Sequence, residues 1–341
     1  MAALRQAGHE VVPIGITPEG RWLAGGDPLH ALSSGQSANE RSISMLPQPD
    51  QRGLVPIQPT NGEVPPIGDL DVLFPVLPGT YGEDGTVQGL FELASVPYAG
   101  AGVLGSALGM DKVVQKMLWR GLGLPVTDFM SVTRRDLERD PATLISEIEE
   151  ALGYPCFTKP ANLGSSVGVS KATNREQLER GLRVAAEYDA KLIVEAGIDA
   201  RELEVGVLGN DEPAASVVGE IIAGAEFYDY RAKYIDNGSR AIIPADIPTE
   251  IAEQVRNLAI AAFKAVAANG VARVDFFLER GTDRLLLNEI NTMPGFTDIS
   301  MYPKLWEPSG VPFPELVTRI AELGLERYQE RSRNRTSYSA E

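Results

Sequence analysis

The chain has 341 residues, 43% hydrophobic and 23% charged, enough to bury a sizeable core in two or three compact units. Its 31 Lys and Arg stand against 47 Asp and Glu, a net charge of -16 that repels phosphate backbones and anionic membrane surfaces and so excludes nucleic acid and membranes as partners. One cysteine and two histidines, His9 and His30, exclude an internal disulfide, a histidine metal centre and a Ser-His-Asp triad, which leaves carboxylates, lysines, arginines and backbone amides to carry any chemistry.

No apolar run reaches the ~20 residues that span a bilayer, and the opening MAALRQAGHE lacks the regions of a signal peptide, so a cytoplasmic address is expected. Residues 1–8 read as the last turns of a helix stopped at Gly8, followed by an apolar strand from Glu10 to Ile16. A helix needs a sheet face to cover, and an α/β domain normally opens with a buried strand, so either the first strand is lost or the domain starts irregularly. Residues 24–68 are rich in Gly, Pro, Ser and Gln and read as loops with short strands, and Asp71 to Leu77 reads as a buried parallel strand. Helices are predicted from about Thr86 to Ala94 and from about Ser106 to Gly121. Strand Cys156 to Lys159, the glycine-rich Asn162 to Gly168, strand Val169 to Lys171 and helix Asn174 to Tyr188 form one small unit. Strands near Leu192 to Glu195, Glu202 to Leu208 and Ala214 to Ile221 follow, then a polar loop at 227–240 and a helix at about 249–268. The runs Val271 to Leu278 and Arg284 to Ile290 give a hairpin signal. The last stretch, from Arg327, is polar and reads as frayed.

The hairpin is the most informative feature. Side chains alternate along a strand, so Arg273 and Asp275 share one face, as do Glu289 and Asn291 on the partner, with Val274, Phe276, Leu286 and Ile290 on the other. A three-residue turn at 281–283 sets Asp275 opposite Glu289, with β-carbons ~5 Å apart. Two acids and an amide oxygen so placed become favourable around a hard cation such as Mg²⁺; a solvated sheet face with scattered charges is the alternative. Small residues in Asn162-Leu-Gly-Ser-Ser-Val-Gly suit a loop whose amides approach phosphate; taken alone the run is more commonly a glycine-rich hairpin turn, and Lys159 on the strand leading in favours phosphate. The spacing Gly100-Ala-Gly102-Val-Leu-Gly105 matches a dinucleotide-binding turn but lacks its context, being preceded by a short segment interrupted by Pro97. Lys112, Glu195 and Glu202 can each be read as surface or sheet-edge charges, the loop Phe227 to Tyr234 as a lid or a partner surface, and Cys156 as a core thiol.

In order, the segments Gly82-Glu-Asp-Gly, Met110-Asp-Lys, Thr158-Lys-Pro, Gly164-Ser-Ser-Val-Gly, Phe227-Tyr-Asp-Tyr with Ala-Lys-Tyr, Arg273-Val-Asp and Asn288-Glu-Ile-Asn-Thr-Met-Pro-Gly-Phe-Thr closely resemble the D-alanine:D-alanine ligases, ATP-grasp enzymes of peptidoglycan synthesis. The likeness runs from residue 1 to about 325. It implies an α/β (α+β ATP-grasp) fold: a Rossmann-like pre-ATP-grasp domain over 1–105, an ATP-grasp small lobe with the glycine-rich flap over 106–190, a large lobe with the metal-binding hairpin over 191–325, and a polar tail over 326–341. The resemblance implies that Lys112 and Lys159 contact ATP phosphates, that Glu195, Ile198 and Glu202 hold adenine and ribose, that Phe227 and Leu278 line the adenine slot, and that Lys233 reaches the γ-phosphate. Asp275, Glu289 and Asn291 become ligands of two Mg²⁺, with Mn²⁺ chemically admissible. Arg273 and the Gly295 amide stabilise the oxyanion, and Ser165, Tyr234 and Ser300 surround the two amino acids. Tyr234 goes with D-alanine rather than D-lactate as second substrate.

Two departures from the family pattern stand out. Its opening Gly-Gly-x-Ser-x-Glu segment, whose glutamate orients the first substrate, precedes residue 1, and Leu77-Pro78-Gly79 replaces the usual His-Gly. The expected activity is ATP-dependent joining of two D-alanines through an acyl phosphate. The alternatives are a catalytically impaired nucleotide-binding protein and a ligase taking D-lactate or another D-amino acid. Expected partners are D-alanine and ATP, with homodimeric assembly.

Overall fold

The computed structural model describes residues 1–25, 41–49, 54–57, 70–164, 166–222, 240–297 and 300–335. The chain divides into two compact units, one of residues 1–75, 88–99 and 312–341, the other of residues 76–87 and 100–311. In the first, a helix at Ala2–Gln6 precedes a four-stranded antiparallel sheet in the order β1 (Ile14–Ile16), β2 (Trp22–Ala24), β3 (Arg41–Met45), β4 (Leu54–Pro56). The strand expected at Asp71 to Leu77 shrinks to one parallel bridge between Leu73 and Tyr98. Pro75 and Pro78 have no N–H to donate, so the ladder cannot extend past Leu73. The polar C-terminal stretch is not frayed where described: the Phe313–Ser332 helix buries Leu316, Val317, Ile320 and Ala321 on one face. Its polar face is anchored as well, because the Arg327 guanidinium lies 4.1 Å from the Tyr98 ring centroid and donates to the Tyr98 carbonyl at 3.1 Å, and Arg331 pairs with Glu92.

The second unit carries two sheets. The smaller is antiparallel, β5 (Phe129–Thr133), β6 (Cys156–Pro160), β7 (Ser170–Ala172) and β8 (Lys191–Ala196) in the order β5-β8-β6-β7. Helices Pro141–Leu152 and Arg175–Tyr188 cover it around Ile145, Ile148, Leu178, Leu182 and Cys156, and the Asn174 side chain caps the second helix through the Gln177 N–H at 3.0 Å. Strand β8, which the sequence placed at the head of the larger lobe, therefore pairs into the smaller sheet, between β5 and β6.

The larger sheet runs β11-β10-β9-β12-β13, from β9 (Ala200–Gly209), β10 (Ala214–Ile222), β11 (Arg240–Ile242), β12 (Gly270–Glu279) and β13 (Leu285–Asn291). Leu203, Val205 and Val207 of β9 and Val274, Phe276 and Leu278 of β12 face the Thr249–Ala265 helix, with Phe263 and Ala259 between. On the opposite face the Met301–Trp306 helix comes so close that a β-carbon on Gly206 would lie 2.7 Å from Trp306 Nε1. The single helix expected from Ser106 to Gly121 is two, Val103–Met110 and Lys112–Gly121. They part at Asp111, whose extended backbone (φ -83, ψ 102) lets its carboxylate accept the N–H groups of Val113 and Val114 at 3.1 and 3.0 Å. This cap fixes Lys112 as the first residue of its helix. In the glycine spacing at 100–105, a β-carbon on Gly105 would sit 2.6 Å from the Ala267 carbonyl oxygen, so that glycine serves close packing. Among the described residues no helix is long and apolar enough to cross a membrane.

Candidate active site

Strands β12 and β13 pair with Asp275 opposite Glu289 and Arg273 opposite Asn291, the register expected from sequence, but the route to it differs. Glu279 N–H bonds the Arg284 carbonyl at 3.0 Å, so the loop is four residues, 280–283, not three. Beyond it the ladder pairs Phe276 with Leu287 and then Asp275 with Glu289, which leaves Asn288 as a bulge. The longer loop shifts the pairing by one residue and the bulge shifts it back. Between the two corrections the side chains of β13 exchange faces. Leu285 and Leu287 join the core, whereas Leu286, expected there, pairs with Phe277.

Asp275 also sits directly opposite Glu204 of β9, so three carboxylates stand side by side across β9, β12 and β13. Left alone they would repel. Arg273 answers them: its Nε and Nη2 donate to the two oxygens of Asp275 at 2.7 Å each, and Nε lies 3.2 Å from Glu204 Oε2. Burial works against the Arg273 charge, but Asp275, Glu204 and Glu289 outweigh it and hold the guanidinium well above its ordinary pKa. Asp275, Glu289 and Asn291 offer only oxygen donors, the set a hard divalent cation takes. One Asn291 oxygen accepts the Met293 N–H at 2.9 Å.

Three lysines face this row from the smaller sheet and the capped helix. Lys112 Nζ donates to the Leu163 carbonyl in the glycine-rich stretch at 2.8 Å and lies 3.2 Å from Glu289 Oε2. Lys159 on β6 donates to Glu195 Oε2 at 2.8 Å. Lys116, one helical turn beyond Lys112, is wholly buried, with Nζ 3.4 Å from Glu195 Oε1, 3.0 Å from Thr127 Oγ1 and 3.4 Å from the Leu287 carbonyl. Burial pushes Lys116 down to about 8 against the pull of Glu195. For Lys159 burial loses to the field of Glu195, Glu289 and Glu202, and its pKa is raised; for Glu195 burial loses to Lys116 and Lys159, and its carboxyl is lowered. A cleft of about 600 Å³ opens beside them, lined by Lys112, Lys159, Gly164, Ile198, Glu202 and Phe277 among others.

Of the residues the sequence nominated, Lys112, Lys159, Glu195, Ile198, Glu202 and Glu289 line this cleft, and Arg273, Asp275 and Asn291 share the adjoining sheet face. Gly295 and Ser300 meet each other: a β-carbon on Gly295 would lie 2.7 Å from Ser300 Oγ, which accepts the Thr297 N–H at 3.0 Å. Leu278 does not reach the cleft. It is 4% exposed within the core, on the face shared by Val274 and Phe276, and Phe277 lines the cleft instead. Strand alternation alone separates these two neighbours. Ser165, Phe227, Lys233 and Tyr234 lie outside the described residues. The site also gathers residues to which the sequence gave no role, namely Lys116, Glu204, Phe277 and Glu83. Glu83 is buried, accepts the Gly79 N–H at 2.8 Å through Oε1, and that oxygen lies 3.3 Å from where a side chain on Gly164 would begin. Burial pushes its carboxyl above the usual range. The available signal was an acid in a glycine-bounded turn, where its neighbour Asp84 is occupied in accepting the N–H groups of Tyr81 and Thr86.

Comparison with known proteins agrees along the whole chain. The family model described as D-ala D-ala ligase N-terminus matches residues 1–101, and that described as D-ala D-ala ligase C-terminus matches residues 118–322. A D-alanine--D-alanine ligase of Heliobacterium modesticaldum is 49% identical over 334 residues, 98% of this chain and 90% of its own. One from Natranaerobius thermophilus is 46% identical over 99% of this chain and 92% of its own. Among solved structures, the D-alanine-D-alanine ligase from Coxiella burnetii superposes with a TM-score of 0.80 at 33% identity, covering 97% of this chain and 90% of its own. The VanG D-Ala:D-Ser ligase from Enterococcus faecalis gives 0.81 at 34% identity, covering 92% and 90%. With both halves matched and nearly half its residues shared with such relatives, this chain belongs to the D-alanine–D-alanine ligase family.

Proposed function

We propose that the protein joins two molecules of D-alanine into D-alanyl-D-alanine at the expense of ATP, in the cytoplasm, as a building block of peptidoglycan precursors. The observation that carries this reading is the carboxylate row of β9, β12 and β13 with its compensating Arg273, set beside a cleft whose wall bears Lys112 and Lys159. Acidic and cationic groups in that order suit a substrate with a charged phosphate chain and a reaction that moves charge along it.

In this reading Lys112 and Lys159 leave their present partners, Leu163 with Glu289 and Glu195, for phosphate oxygens. Ile198, Glu202 and Phe277 border the space for adenine and ribose, with Glu195 acting through the lysines it holds and Phe227 closing the slot. Asp275, Glu289 and Asn291 would hold two Mg²⁺, or Mn²⁺, which neutralise charge on the phosphoryl oxygens when bound. The carboxylate of the first D-alanine attacks the γ-phosphorus; the new O–P bond forms as the bond to the ADP oxygen breaks, giving an acyl phosphate. The amine of the second D-alanine then attacks the acyl carbon. Arg273 and the Gly295 N–H donate to the oxyanion, and its collapse expels phosphate. Ser165, Tyr234 and Ser300 surround the amino acids, and Lys233, on the segment that includes Phe227, reaches the γ-phosphate while that segment excludes water.

The test is direct. Purified protein with ATP, Mg²⁺ and D-alanine is expected to release one phosphate per dipeptide formed, measured by phosphate assay and mass spectrometry on the same sample. Phosphate release without dipeptide, or a mixed product dominating when D-serine or D-lactate is added at equal concentration, would move the assignment elsewhere in the family.

A further inference from the structure

We infer that Lys116 is a positioning residue for the nucleotide: by holding one oxygen of Glu195 permanently, it leaves Lys159 able to exchange the other oxygen for a phosphate. The inference rests on the ATP-dependent reading above and adds to it a residue that never touches the ligand. Lys116 has no exposed surface and does not line the cleft, whereas Lys159 does and Glu195, its side chain 2% exposed, lies in the cleft wall between the two lysines.

The two lysines divide one carboxylate between them, Oε1 toward Lys116 at 3.4 Å and Oε2 toward Lys159 at 2.8 Å. Without Lys116, a move of Lys159 onto a phosphate would leave the buried Glu195 with neither of its two ion-pair partners, which strongly disfavours the move. Lys159 would then be held back by the acid it should leave. With Lys116 in place, Glu195 keeps a cation whichever way Lys159 points. The other partners of Lys116 fix it where this sharing requires. Thr127 Oγ1 precedes β5, and the Leu287 carbonyl belongs to the strand segment next to the bulge at Asn288. A lysine that served packing alone would not need to meet the same carboxylate as a cleft lysine.

A double-mutant cycle on the full chain separates these roles. Affinity for Mg²⁺ with a non-hydrolysable ATP analogue is measured by calorimetry, without amino acids, for wild type, K116M, E195Q and K116M/E195Q. The expected result is a loss of about tenfold or more from K116M when Glu195 is present and under about threefold in the E195Q background, with the KM for D-alanine changed less than about threefold. Should K116M alone fail to fold, the double variant, which removes equal and opposite charges, is compared with E195Q, and the same near-equality is expected. An equal loss in both backgrounds, or none in K116M, would overturn the inference while leaving the ligase reading intact. Absence of nucleotide binding by wild type would overturn both.

Discussion

Arg273 carries two duties that a single substitution exposes. It compensates Asp275 and Glu204 in the resting protein, and it is the donor assigned to the oxyanion. R273M is therefore expected to lower kcat by roughly 10²–10³ and also to lower the Tm, because the half-buried carboxylates of Asp275 and Glu204 lose their cation. A variant with normal kcat would remove Arg273 from the reaction. Glu83 gives a prediction with a pH sign. Its carboxyl is raised by burial, so below the unfolded-state value both states are protonated and the group is neutral in its effect. As pH rises through that value the unfolded chain ionises first and stability falls until the folded carboxyl follows. E83Q keeps an oxygen for the Gly79 N–H, and its Tm relative to wild type should be near zero difference at pH 4 and positive at pH 7.5. A difference that is flat or reversed with pH would contradict this. At this scale the sequence made the cleft lysines and the hairpin acids legible, because each belongs to a short motif. Lys116 and Glu204 were hidden, since a neighbour on a distant strand gives each its meaning, and Glu83, though inside a quoted motif, gains its place only once Gly79 and Gly164 stand beside it.

The β12–β13 hairpin behaves as a pair of cancelling offsets, a loop one residue longer than the alternation required and a bulge that removes the surplus. Deleting Asn288 alone takes out the unpaired residue and should leave Glu289 opposite Asp275 on a regular ladder, whereas deleting Leu287 together with Asn288 should set Glu289 opposite Phe276 and turn it away from Asp275. Nucleotide-dependent phosphate release checks this: the single deletion is expected to keep a measurable part of it and the double deletion to abolish it. Equal activities would show that register does not govern the site. The hairpin was readable from sequence because its pattern is local and periodic. Period-two alternation also placed Val274 and Phe276 on the core face, and followed two residues further it puts Leu278 there too, leaving Phe277 for the cleft. The break at Asp111 escaped because the surrounding helical sequence continues without interruption and only the cap reveals two helices. The helical end at Ser332 escaped because polarity was read as disorder, when Tyr98 and Glu92 supply partners that no local window contains.

For the whole molecule, a net charge of -16 outweighs the few cations that line the cleft, of which Lys112 and Lys159 are largely covered, so attraction for an anionic ligand is short in range. Binding of Mg²⁺ with ATP should stabilise the folded chain by about 2.7 kcal/mol at a hundred times Kd, seen as a rise in Tm. A chelator should remove that rise, and if ATP alone stabilised the protein equally, the metal assignment to Asp275, Glu289 and Asn291 would fall. The row of acids across three strands explains why the difference should be large. Under the proposed metal assignment, free ATP would bring more negative charge to that row of acids, so nucleotide and cation would arrive as one particle, or the cation first. On that assignment the sheet itself would set the order of arrival, and a cell short of divalent ions would leave the enzyme idle with its ATP unspent.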